Sequence, residues 1–144
     1  MAQEMTRRIV NGLNFDGGRT RVGVVTYSDS AKARFHLNSY TDKTSVLNAI
    51  SYTLENGRTN TASGIDMARY NMFSSNKGDR AGDQNYAVII TDGNSNINRG
   101  GTIPAANGAR RAGIKMIAIG IGENRKVDRS EINGIANDPD NQFA

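Results

Sequence analysis

Two runs, Tyr86-Ala87-Val88-Ile89-Ile90-Thr91 and Lys115-Met116-Ile117-Ala118-Ile119-Gly120-Ile121, are near-continuously apolar and rich in β-branched residues. A strand covered by helices on both faces reads this way, whereas a strand with one wet face alternates apolar with polar. A third run, Arg21-Val22-Gly23-Val24-Val25-Thr26-Tyr27-Ser28, is β-branched as well. Between the runs, Ile65, Ala68, Met72 and Phe73 recur at helical spacing, predicting a helix over 61–75 with a hydroxyl cap from the Thr59–Thr61 stretch. Further helices are predicted over 2–13, 42–52, 103–112 and 128–137, with Gly113 placed to end the fourth. Residues 31–37 follow a short Ser28-Asp29-Ser30 turn and predict an antiparallel edge strand. Strand and helix in alternation imply an α/β fold: a doubly wound, mostly parallel, Rossmann-like sheet with one antiparallel edge strand and helices on both faces.

Several functions are excluded on residue content. The chain has 144 residues, a single domain's length, and no cysteine, so there is no disulfide framework, thiol nucleophile or thiolate metal site. The net charge of +4 is the balance of 18 Lys and Arg against 14 Asp and Glu, the basic residues never run beyond two in a row, and there is no Trp for base stacking. That pattern speaks against nucleic acid. No window approaches the roughly 20 apolar residues of a spanning helix, so membrane insertion is not expected, and residues 1–8 have no signal-peptide core.

The candidates for enzyme chemistry are weak. His36, the single histidine, lies in the predicted edge strand far from any nucleophile and reads as a half-buried strand residue. Gly120-Ile121-Gly122 lacks the third glycine of a dinucleotide loop, and no phosphate loop occurs. Lys77-Gly78-Asp79 reads as part of a solvated, charged loop. The chain is read as a binding module rather than an enzyme.

Two segments fall where open α/β sheets place ligands, at strand carboxyl ends and helix starts. Thr91-Asp92-Gly93 ends the apolar strand, and Arg58-Thr59-Asn60-Thr61 opens the helix over 61–75. Each alone is accounted for by turn or capping preference. Their order is more specific: RVGVVTYSD, then GRTNTASGI, then AVIITDG, then KMIAIGIG. This order resembles the von Willebrand factor type A family, from about Ile9 to Ala144.

The resemblance implies a metal-ion-dependent adhesion site at the top of the sheet, holding magnesium, manganese or calcium. A partner's carboxylate completes the coordination. Thr59 matches the family's coordinating threonine and Asp92 the aspartate of its TDG motif, which acts through a bound water. The family's Asp-x-Ser-x-Ser loop is not in this sequence, since residue 1 already falls in the helix that follows it. The strand before that loop belongs between the strands matching 21–28 and 86–91. Residues 1–144 are therefore expected to form one partial domain lacking its first central strand, with Thr59 and Asp92 alone a poor cation site. The implied function is a secreted, extracellular matrix or cell-adhesion module that binds a matrix protein such as collagen. The alternative is a metal-independent scaffold domain of a matrix protein.

Overall fold

A computed structural model describes residues 2–51, 58–91, 95–121 and 128–136. Helix α1 (Ala2–Asn11) carries Glu4 in its first turn and Arg8 in its last, each opposing the dipole charge at its end. Strands β1 (Val24–Tyr27) and β2 (Ala31–Phe35) form an antiparallel pair, with an irregularity between Val24 and Val25. Helix α2 (Lys43–Ala49) follows, its first turn capped by Asp42, which accepts from the Ser45 amide at 2.8 Å.

Helix α3 (Thr61–Met67) starts where the sequence predicts, but Asn60 rather than a hydroxyl provides the cap, its Oδ1 accepting from the Ser63 amide at 3.1 Å. The α-helical form ends at Met67 and the chain continues through a π turn, Ala68–Met72. Strands β3 (Asn85–Thr91) and β4 (Ile114–Gly120) pair in parallel, Asn85 opposite Ile114 through to Thr91 opposite Gly120. They are joined by α4 (Arg99–Arg111). Gly113 does end that helix, with φ +88° and its amide on the Arg110 carbonyl at 3.0 Å. Helix α5 (Arg129–Ile135) completes the order.

Lys77-Gly78-Asp79 is not a solvated loop. Gly78 is buried, its φ is +98°, and its carbonyl accepts from Arg21 Nη1 at 2.8 Å, while the Lys77 carbonyl accepts from the Asn38 amide. The turn is a structural tie to the β1–β2 side. His36 lies just beyond β2, half-buried, its amide on Ser39 Oγ at 2.8 Å.

Among the described residues the strands form two two-stranded sheets, β1–β2 and β3–β4, with no backbone ladder between β1 and β3. This is where the family resemblance expects a strand to be missing. A side chain spans the interval instead: the Tyr27 hydroxyl donates to the Ile90 carbonyl at 3.0 Å. The side chain lies against α3 at Gly64, where an added Cβ would come within 2.8 Å of Tyr27 Cδ1. Gly64 is thus required by close approach, against its cost to helix propensity.

The core divides the same way. One cluster joins α3, β3, α4, β4 and α5 through Ile65, Ile89, Ala106, Met116, Ile132 and Ile135. The other joins α1, β1, β2 and α2 through Val10, Val24, Phe35, Val46 and Ile50. On β3, Ala87 and Ile89 face the first cluster, while Tyr86 and Val88 are 52% and 39% exposed.

Candidate functional site

The segments that follow β1 and β3 meet at the start of α3, and backbone hydrogen bonds stitch them together. After β1, the Ser28 carbonyl accepts from the Asn60 amide at 2.8 Å and the Asp29 carbonyl from Asn60 Nδ2 at 3.1 Å. Asp29 Oδ1 accepts from the Arg58 amide at 2.7 Å. The residues on both sides of Thr59 are therefore tied to the end of β1.

Thr59 itself is tied to the segment beyond β3. Its amide donates to Asn96 Oδ1 at 2.7 Å, and its carbonyl accepts from the amides of Asn96 and Ile97 at 3.0 and 3.1 Å. With capping assigned to Asn60, the Thr59 hydroxyl is not needed to start the helix. Asp92, the other residue singled out from sequence, lies outside the described residues, as does Gly57 at the head of the Thr59 segment.

Beneath this junction is a buried polar cluster with no counterpart in the sequence reading. Thr61, Ser95 and Glu131 are 0%, 2% and 6% exposed. Ser95 Oγ lies against both Glu131 Oε1 and Thr61 Oγ1, the latter at 2.6 Å. A carboxylate only accepts, so the Ser95 proton goes to Glu131 and the Thr61 hydroxyl donates to Ser95. The Ser95 amide donates to Glu131 Oε2 at 3.3 Å, and Arg99 Nη1 lies 3.2 Å from that same oxygen. Arg99 also pairs with Asp128, the cap of α5. Asp128 and Glu131 have the Asp-x-x-Glu spacing of a helix start, which was available in the sequence. In a capping box, however, the glutamate turns back on its own helix, and here it reaches a loop 36 residues away.

The Asp128 carboxyl is held below its ordinary value of 3.8, first by the hydrogen bond from Arg99 and next by the Glu131 amide. Asp42 is lowered too, chiefly by the Ser45 amide. A depressed folded value means the stabilisation is complete above the unfolded value and is lost as pH falls through the folded one. Asparagine caps a helix as well as aspartate but carries no charge. Asp128→Asn should therefore flatten the fall in melting temperature as pH drops below about 4, as followed by circular dichroism. An unchanged acid slope would locate the sensitivity elsewhere.

The described donors at the junction are hydroxyl, carbonyl and carboxylate oxygens, the set that hard divalent cations take. Among the described residues no three His, Cys, Asp or Glu side chains cluster as a metal site. No helix of the described residues is long and apolar enough to cross a membrane.

Comparison with known proteins places this geometry. The chain is 33% identical to chicken (Gallus gallus) matrilin-1 over 92% of its length, and 30% identical to the mouse (Mus musculus) collagen alpha-4(VI) chain over 98%. It spans 26% and 6% of those two relatives. Its structure superimposes on proximal thread matrix protein 1 of the mussel byssus with a TM-score of 0.85 at 28% identity, covering 94% of this chain and 35% of that one. A second structure of the mussel protein has zinc in its MIDAS motif. These relatives are matrix and adhesion domains, and no enzyme family is indicated. The family model for the von Willebrand factor type A domain matches residues 1–144, and the chain belongs to that family.

Proposed function

We propose that the chain is the binding module of an extracellular matrix or cell-adhesion protein, and that it grips an acidic side chain of a matrix partner such as collagen through a divalent cation. Thr59 and Asp92 are the residues of this chain that would face the cation, which is magnesium, manganese or calcium. The observation that carries the reading is the stitching of Thr59 to the segment that follows β3. It brings the loop after the TDG strand and the threonine loop to one place at the carboxyl edge of the sheet, where open α/β folds bind ligands. An open coordination position on an oxygen-ligated cation is a site that a partner's carboxylate can fill. The matrix character of the relatives supports the extracellular setting, and the zinc in the mussel protein's motif supports the cation.

A second reading is a metal-independent scaffold domain, favoured by the lack of a three-acid cluster among the described residues. Calorimetric titration of magnesium, manganese and calcium separates the two. It is run on the 144-residue chain and on a form preceded by a strand that ends in Asp-x-Ser-x-Ser. The adhesion reading expects binding in the extended form, weak or no binding in the shorter one, and loss on Asp92→Ala. Absence of binding in both forms supports the scaffold.

A further inference from the structure

We propose that Glu131 is a positioning residue for the cation site, holding the Thr59 loop and the segment after β3 in register from its place on α5. The inference rests on the reading of Thr59 and Asp92 as residues that face the cation. A carboxylate 6% exposed is costly unless its charge is matched and its lone pairs are used. Glu131 meets both conditions, and its partners belong to other elements: the Ser95 hydroxyl and amide beyond β3, and Arg99 in the first turn of α4. Stability alone could be obtained from apolar side chains of similar volume at these positions, often with a gain. What apolar side chains cannot do is fix the rotation of two loops.

The route from Glu131 to Thr59 is short and follows two branches. Ser95 is followed directly by Asn96 and Ile97, whose amides both donate to the Thr59 carbonyl, while Asn96 Oδ1 takes the Thr59 amide. Ser95 Oγ also accepts from Thr61, two residues past Thr59 and fully buried in the first turn of α3. Thr59 is thus fixed through its own backbone on one branch and through α3 on the other. Arg99 reinforces the arrangement from outside the cluster, since its Nη1 also donates to the Ser95 carbonyl at 3.3 Å.

Glu131→Gln tests the assignment with little change of volume. A glutamine puts an NH2 donor where one carboxylate oxygen accepts, so the separate acceptors of the Ser95 hydroxyl and the Ser95 amide are reduced to one oxygen and Arg99 loses the charge it faces. Two readouts are taken on the cation-binding form of the protein. Amide hydrogen exchange at Asn96 and Ile97, relative to the β4 amides, is expected to quicken at least about 10-fold. Affinity for manganese, titrated alone, is expected to fall by about 10- to 100-fold, the range seen when residues behind a metal's ligands are removed.

The control is Arg110→Ala, which frees the other end of α5 by removing donors to the Gly134, Ile135 and Ala136 carbonyls. It should lower the melting temperature without weakening manganese. If Glu131→Gln leaves exchange at Asn96 and Ile97 unchanged, or weakens manganese no more than Arg110→Ala does at equal loss of stability, the positioning role is overturned while the cation reading stands. If the parent binds no manganese, the assignment of Thr59 and Asp92 fails first and removes the role of Glu131 with it.

Discussion

Lysine in place of Val88 is expected to keep the chain monomeric at concentrations about 10-fold above those at which the unmodified chain associates, at a cost of only about 0.5–1 kcal/mol. The reason lies in the division of the sheet. Among the described residues β1 pairs with β2 only and β3 with β4 only, so each pair presents a strand edge without a ladder. Such edges are templates for pairing with a second chain, and natural sheets blunt them with charge, most often lysine. On β3 the edge is accompanied by Tyr86 and Val88, both largely apolar and exposed. A charge at Val88 must be desolvated before another strand can dock there, while in the monomer it stays in water. The cost is a share of the contact with Ile117, the residue opposite in the register. For a chain of this size that cost is a shift of about 1–4 °C in melting temperature. Sedimentation over a concentration series checks the expectation. Equal association of Val88→Lys and the parent would place the sticky surface away from β3, and a parent that stays monomeric throughout would show that the open edges are protected.

The parts of this architecture that the sequence disclosed are those written in contiguous residues. The apolar continuity of 86–91 and 115–121 located β3 and β4 to within a residue, because a strand with helices packed on it has few polar positions. Gly113 was legible because a left-handed residue after a helix favours glycine. The helix predicted over 103–112 begins earlier, at Arg99 behind Asn98 at φ +50°, and carries Pro104 inside. Helix α3 keeps its apolar spacing through the π turn at 68–72, so periodicity could not show where the α form stops.

For the site, the Thr-Asn-Thr stretch marked the right loop but not which residue caps. Asn60 and Thr59 are equally plausible by type, and only the observed bond to Ser63 separates them. Glu131 was invisible for a different reason. Its partners Ser95 and Arg99 are distant in sequence, and nothing local distinguishes a glutamate that faces a loop from one that faces water.

Truncating each core cluster in turn should reveal how far the two halves of the molecule unfold independently. Met116 is fully buried on β4 in one cluster, and Ile50 is fully buried beyond α2 in the other. Each truncation to alanine is expected to cost about 2–5 kcal/mol, a large share of the roughly 5–15 kcal/mol that stabilises a domain. The pattern of loss carries more information than its size. Among the described residues the clusters share no ladder; they are connected through α3, through the reach of Tyr27 to Ile90, and through the turn at 77–78, whose carbonyls accept from Asn38 and Arg21. The Ile50 half is further held to α1 by Arg7, whose Nε donates to the Ile50 carbonyl at 2.9 Å. Ile50→Ala should therefore lower hydrogen-exchange protection in β1 and β2 while leaving the β3–β4 ladder protected near the parent level. Met116→Ala should expose both, because α3, on which Tyr27 rests, packs in the Met116 cluster. The energies of the two single variants should add in the double variant to within about 0.5 kcal/mol if the clusters do not share contacts. Uniform loss of protection in Ile50→Ala would mean that these connections bind the halves into one cooperative unit. A strand seated between β1 and β3 would then add pairing for the edges without being needed to unite the core.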